Sequence, residues 1–395
     1  MPHDKLPTGA QALLIALATP VNARQIGIPV LLWGRPGVGK SSFIEGLARE
    51  DLRVTTLIAS IHDPTDFSGL PVLEDGRVRY AAPHWVDDFR DDQDGILFLD
   101  ELSTAPPSVQ SALLRVVFER RVGFHRLPDR VRIVAAANPP DLTVGGWELS
   151  PPLRNRFVHL DWSVATDLFV HSLTNGWERG SIPTTDAAAH ARALADWRVR
   201  IAGYLRLSPG SLHADPETNE YGFASPRSWD YTATLLATAD LLGHSLGDND
   251  GVAFSLAKGC LGQDIALTFT EYVRNLRLPD PEVVLRGEAT VDIRELNDSE
   301  IYVLFASLNN YLRRALDDDR LLPYSSVYLD LVRQAFDDRR RDVVFVPLKE
   351  IARDGLLMRL ATVAAGAGAE GQRVMDQVTR FFSDEGLNEF IRVLS

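Results

Sequence analysis

Apolar and polar positions change rhythm along this chain. From residue 28 to residue 162, short and nearly continuous apolar runs alternate with stretches of helical spacing. Residues 28–33 (IPVLLW) end at a glycine and predict a buried strand. Residues 53–60 (RVTTLIAS) are β-branched and strand-like. Residues 95–101 (GILFLDE) and 131–138 (VRIVAAAN) predict two more buried strands, and 157–162 (FVHLDW) a fifth. Strands this apolar suit a parallel sheet covered on both faces, the α/β pattern. Residues 41–50 (SSFIEGLARE) have helical spacing directly behind the first strand. The apolar run 12–18, stopped by Pro20, predicts an amphipathic helix at the N-terminal end.

Two hairpins interrupt the alternation. Residues 71–80 (PVLEDGRVRY) alternate around Asp75-Gly76, a two-residue turn signal. Residues 121–128 (RVGFHRLP) are a weaker candidate. Beyond residue 163 strands become scarce. Helical patterns run over 186–207, 227–242 and 265–276. A Pro-containing stretch, 276–282 (LRLPDPE), reads as a linker, and 299–316 opens a second helical region expected to run to Ser395. The division expected is therefore 1–163, 164–280 and 281–395. No internal repeat or low-complexity segment is visible.

Composition narrows the function. The chain has 395 residues, 45% of them hydrophobic, enough for a sizeable core. Its net charge of −13 argues against broad contact with phosphate backbones, so nucleic acid is not an expected partner. One cysteine, Cys260, excludes an intramolecular disulfide and a cysteine-based zinc site. The N-terminal stretch lacks a basic leader, and no run of about 18 apolar residues exists, so neither export nor membrane insertion is expected and the location expected is cytoplasmic.

Among 41 basic residues, lysine stands only at Lys5, Lys40, Lys258 and Lys349. Lys40 closes GRPGVGKS, residues 34–41, which fits G-x-x-x-x-G-K-[ST] between a strand and a helix. Gly34, Arg35, Pro36, Gly37, Val38, Gly39, Lys40, Ser41 and Ser42 are the expected nucleotide-binding residues. Glycines let backbone N–H groups face a phosphate, and the helix start adds partial positive charge. A slim ammonium can lie along the β/γ-phosphates where a planar guanidinium would not fit, which explains lysine here in an arginine-rich chain. Residues 96–101 (ILFLDE) end a buried strand on two carboxylates. Asp100, with the Ser41 hydroxyl, is expected to hold Mg²⁺, and Glu101 to polarise an attacking water. Asn138, ending the next strand, could orient that water; alone, Asn before Pro is a turn signal. Arg154 and Arg156 in SPPLRNRF precede another strand, and Arg227 opens a helix, where a cation opposes the helix dipole unless an anion arrives.

In this order the motifs resemble those of the MoxR-type AAA+ ATPases, in the branch related to magnesium chelatase and dynein. The resemblance rests on Walker A at 34–41, Walker B at 96–101, sensor 1 at Asn138, an arginine finger in LRNRF and sensor 2 in SPR. Residues 100–122 and 137–157 are similar to that family almost word for word, and the match covers roughly residues 28 to 280. It implies an AAA+ P-loop sheet core, with the 71–80 hairpin as helix-2 insert and the 121–128 hairpin before sensor 1. A helical lid and a further mainly helical C-terminal region follow. It implies ATP and Mg²⁺ as cofactors, a ring (commonly a hexamer) with ATP between subunits, and chaperone-like remodelling of a protein client or von Willebrand factor A-type partner. By that analogy Arg156 is the finger; relatives carry Asp where this chain has Asn155, which leaves Arg154 as second candidate. Arg227 is expected to act in cis from the lid. Two other readings share the frame: a nucleotide-controlled assembly platform with little turnover, and a GTPase motor of a DNA-restriction system.

Overall fold

The computed structural model describes residues 6–89, 93–142, 146–176, 180–218, 221–248, 250–276 and 278–383. The strands are β1 (Val30–Trp33), β2 (Leu52–Ile58), β3 (Leu70–Glu74), β4 (Arg77–Ala81), β5 (Asp94–Asp100), β6 (Arg121–Val122), β7 (His125–Arg126), β8 (Val131–Ala137) and β9 (Val158–Asp161). The helices as far as residue 275 are α1 (Thr8–Ala18), α2 (Lys40–Glu45), α3 (Thr65–Ser68), α4 (Pro107–Glu119), α5 (Pro151–Arg154), α6 (Thr166–Asn175), α7 (Ala187–Leu207), α8 (Pro226–Leu241), α9 (Gly251–Leu261) and α10 (Gln263–Asn275). After them come α11 (Pro281–Leu285), α12 (Asp298–Ala315), α13 (Leu321–Asp337), α14 (Arg341–Arg353), α15 (Leu356–Ala364) and α16 (Gly368–Ser383). The chain divides into two compact units. One is Met1–Trp197 with Gly210–Val273, and the other is Arg198–Pro209 with Arg274–Ser395.

In the first unit, five all-parallel strands run in the order β2-β5-β8-β1-β9. Every residue of β1 and β8 is buried, as are the five central residues of β5. That burial explains the unbroken apolar runs, since helices cover both faces of the sheet. Because the strands are parallel, all leave the sheet at one edge. Trp33 lies opposite Ala137, and Leu99 opposite Ala135. Gly34, Asn138 and Asp100 therefore emerge side by side, at the strand ends where open α/β sheets bind ligands.

Both hairpins form. Asp75 (φ 50°) and Gly76 (φ 72°) are both left-handed, as a two-residue turn that follows strand twist requires. Two elements of the first unit differ from expectation. The helix expected over 41–50 stops at Glu45. Gly46 ends it, and the chain turns so that Arg49 bridges to Leu52 at the start of β2. Helix α1 forms but is not amphipathic. Ala10 and every residue from Ala12 to Ala18 are buried, because α8, α9 and β9 pack around it. Such a helix carries no polar face for periodicity to register.

The second unit is helical. Phe305, Leu308, Tyr328 and Val344 sit in its core. The stretch read as a linker gives rise to α11, capped by Asp280, whose carboxylate accepts from the N–H groups of Glu282 and Val283. Residue 277 and residues 384–395, over which the linker and the terminal helical pattern were expected, lie outside the described residues.

Candidate active site

The loop between β1 and α2 turns through Gly37 (φ 78°) and Gly39 (φ 84°). A Cβ at either position would meet nothing within 4 Å, so backbone conformation rather than packing calls for glycine there. Lys40 is only 7% exposed. Its ammonium spends its three protons on Gly34 O at 2.5 Å, Arg35 O at 3.2 Å and Asn138 Oδ1 at 3.2 Å. Burial holds its pKa below the ordinary lysine value, and the nearby Asp100 carboxylate pulls it back up.

Ser41 Oγ donates to Asp100 Oδ2 at 2.6 Å, and Asp100 Oδ1 accepts from the Glu101 N–H at 2.9 Å. Glu101 itself sits in the left-handed region at φ 56°, an uncommon conformation for a side chain other than glycine. Its carboxylate faces solvent and accepts from Ser60 Oγ at 2.8 Å. Ser60 was not singled out from the sequence. It follows β2, whose Ile58 pairs with Asp100, so only the strand register reveals that the two meet.

Pro36 to Ser42, Asp100, Glu101 and Ala136 to Asn138 line a cavity of about 280 Å³. A larger one of about 840 Å³ opens on the other side of Val38 and Gly39. Phe43, Trp162, Leu168 and His171 line it together with Leu6, Pro7 and Ala10. The pairing of a serine hydroxyl with a carboxylate at 2.6 Å is a hard-oxygen donor set and fits Mg²⁺. The open, left-handed glycine turn fits a polyphosphate.

The arginines divide. Arg154 donates from Nη2 to Tyr221 O at 2.8 Å and to Pro216 O at 3.3 Å, and from Nε to Tyr221 O at 3.2 Å. Its guanidinium also lies over the Phe223 ring. Arg156 donates to Pro152 O and stacks on the exposed Phe118 ring, 4.4 Å from its centre. Its buried Nε has no partner among the described residues. Arg227 covers the same ring at 5.5 Å and donates to Asn155 Oδ1 at 3.3 Å. Burial first, then the Arg227 charge, lowers the pKa of Arg156. The fold thus brings Arg156 and Arg227 together, while the contacts around Lys40 and Ser41 involve neither. Arg154 stands apart from them as a tie to the segment ahead of α8.

The family described as an AAA domain of the dynein-related subfamily matches residues 29–157. Among curated proteins, the chain is 32% identical over 135 residues to Chaperone MoxR1 of Mycobacterium tuberculosis, covering 33% of this chain and 34% of that one. It is 33% identical over 131 residues to the Nif-specific regulatory protein of Rhodobacter capsulatus, covering 28% of this chain and 21% of that one. The matches thus span a fifth to a third of those relatives' lengths. A solved structure from Cytophaga hutchinsonii, provisionally described as an ATPase, overlaps 67% of this chain and 87% of its own. At 14% identity and a TM-score of 0.38 that likeness is loose. No described helix is long and apolar enough to cross a membrane. With a parallel sheet and a P-loop behind β1, residues 29–157 match an AAA domain of the dynein-related subfamily, and over part of its length the chain is similar to a MoxR chaperone.

Proposed function

We propose that this chain hydrolyses ATP within a ring of identical subunits and uses the cycle to remodel or activate a protein partner. The observation that carries the chemistry is the convergence of Lys40, Ser41, Asp100, Glu101 and Asn138 at one sheet edge. Lys40 would bind the β/γ-phosphates, exchanging loop carbonyls for phosphate oxygens. Ser41 and Asp100 would hold Mg²⁺, which supplies charge neutralisation at the phosphates when bound. Glu101 accepts a proton as a water oxygen attacks the γ-phosphorus. The bond from that phosphorus to the β,γ-bridging oxygen breaks, giving ADP and phosphate. Asn138, already bonded to Lys40, fixes the side of the cavity where the water stands.

The base is read as adenine. The large cavity beside Val38 is lined mostly by apolar groups, and among the described residues none that lines it is Asp or Glu. Guanine offers two N–H donors that a carboxylate would satisfy and an apolar wall would leave bare. This weighs against the GTPase reading.

Arg156 and Arg227 are read as acting together on the ATP of a neighbouring subunit. Two guanidiniums sharing one exposed aromatic ring repel unless an anion joins them. Arg154 has its donors committed within its own chain, which favours Arg156 as the finger. On this reading Arg227 serves in trans, where the sequence suggested cis. Residues 1–163 are then the nucleotide core and 164–280 the lid. Residues 281–395 would recruit the partner, of which a von Willebrand factor A-type protein is the first to try. The test is turnover of ATP against GTP by wild type, Lys40→Ala and Glu101→Gln. ATP turnover with loss of about 10²-fold in Glu101→Gln supports the reading. GTP preference, or full turnover in Glu101→Gln, overturns it. Tight ATP binding without turnover would favour the assembly platform.

A further inference from the structure

Trp33 is the last residue before the P-loop, yet its indole points to the arginine segment. Its Nε1–H donates to His159 Nδ1 at 2.9 Å. The other ring nitrogen of His159 lies 2.9 Å from the carbonyl oxygen of Arg154. An indole can only donate and a carbonyl can only accept. His159 must therefore accept at Nδ1 and carry its proton at Nε2. That leaves one neutral tautomer, and a protonated ring would set two N–H groups face to face. Burial agrees with this, lowering the pKa of His159 to about 4.

The bridge closes into a cycle. Arg154 Nη2 donates to Tyr221 O, and the Tyr221 ring lies 4.6 Å from Trp33 and 6.4 Å from His159, centre to centre. Asn155, the next residue, takes Ser225 Oγ at 2.9 Å and Arg227 Nη1 at 3.3 Å on its side-chain oxygen. Helix α9 packs close to β9 at Gly259, where a Cβ would come within 2.3 Å of the His159 backbone oxygen. The strand that ends in the P-loop is thus tied by side-chain hydrogen bonds to the end of α5, just ahead of Arg156, and through Asn155 to Arg227 on α8.

We infer that His159 is a positioning residue that couples the nucleotide site of its own subunit to the arginine pair offered to the next one. This rests on the proposed trans role of Arg156. His159 touches neither nucleotide nor either of those two guanidiniums; it acts through Trp33 on one side and the Arg154 backbone on the other. A shift of β1 at the P-loop reaches α5 because both ends of the imidazole are committed. Loss of the bridge would leave the P-loop able to bind ATP while the arginines lose their fixed place.

The test uses full-length subunits and mixing. His159→Phe keeps a ring in the stack and removes both nitrogens. Its KM for ATP should stay within about twofold while kcat falls about 10- to 100-fold, the scale of a misplaced group remote from the chemistry. Mixed with Lys40→Ala subunits, it should regain turnover, because interfaces then join its intact P-loop to an intact finger on the neighbour. Mixed with Arg156→Ala, it should regain none. Trp33→Phe removes the donor while keeping an aromatic ring and should fall in the same class. The double variant should be no worse than His159→Phe alone, since both break one bridge. If Arg156→Ala and Lys40→Ala fail to restore each other, the trans-finger reading fails and this inference with it. If that pair restores turnover but His159→Phe and Lys40→Ala do not, the inference alone is wrong. A raised KM, or multiplicative effects in the double variant, would also overturn it. Should His159→Phe fail to fold, Trp33→Phe decides by the same mixing criteria.

Discussion

Glu101 and Ser60 show what one hydrogen bond can decide. A carboxylate that accepts a hydrogen bond from a hydroxyl is held to one orientation. Ser60 holds Glu101 in this way at 2.8 Å, on an exposed side chain whose backbone is already left-handed. Releasing it frees the carboxylate to turn toward water. Ser60→Ala should therefore raise basal ATP turnover by about 2- to 10-fold, the equivalent of one net hydrogen bond. A steady-state assay on the purified chain reads this directly; a fall in turnover would mean that Ser60 aims Glu101 rather than restrains it. Lys40→Ala tests the neighbouring cradle. ATP affinity should drop at least about tenfold, or 1.4 kcal/mol, and unchanged binding in calorimetry would remove the lysine from the phosphate site. The meeting of Lys40, Ser41, Asp100 and Glu101 was legible in the sequence from local motifs, and that of Asn138 only from its place after them. Ser60 was not, because its partner is 41 residues away and only the β2–β5 register joins them.

At the scale of elements, α5 is four residues long, and the two arginines at and just beyond its end have different duties. Arg154 ties it to the carbonyls of Pro216 and Tyr221, while Arg156 turns to the Phe118 ring. The sequence could not separate them, because nothing local to LRNRF says which arginine meets the segment some 67 residues later. Arg154→Ala should cost about 1–3 kcal/mol of stability by leaving half-buried carbonyls unpaired, and should lower the melting temperature without nucleotide. Arg156→Ala should lower turnover with little change in melting. Equal melting losses in both would return the question to where the sequence left it. The same distinction explains the two elements that periodicity misjudged. Helix α1 has no polar face because three elements surround it, and α2 ends early because Gly46 and the entry into β2 override its apolar spacing. Strands β1, β5 and β8 were legible because burial on both faces leaves no alternation to misread.

The whole molecule joins these parts through pH and through α7. His159 keeps a pKa of about 4 when folded, against 6.5 for the free side chain. Between those values the unfolded chain binds a proton that the folded one refuses. Stability should thus fall as pH drops from about 6.5 to about 4, by roughly 3 kcal/mol in total, and be unaffected by this group above that window. Urea midpoints across the window should show the slope, and His159→Phe should reduce it; His190, lowered by burial too, contributes with the same sign and remains. Helix α7 bears on how the second unit can be removed. Its N-terminal part belongs to the first unit, and from Arg198 onward it belongs to the second. Within the second unit, Val199 and Ala202 pack on Tyr302 and Val303, and the Arg206 guanidinium lies 4.5 Å from the Tyr302 ring centre. Deleting residues 283–395 removes those partners and strands an apolar helix end in solvent. Every residue assigned to nucleotide binding lies in the first unit, so ATP binding should survive once that end is made polar, for example with Val199→Glu and Ala202→Gln. The unmodified deletion should aggregate. The polar version should be soluble, bind ATP within about threefold of the full chain, or 0.7 kcal/mol, and fail to assemble or to bind the partner. If it instead assembles and turns over ATP like the full chain, the second unit serves neither the ring nor its partner.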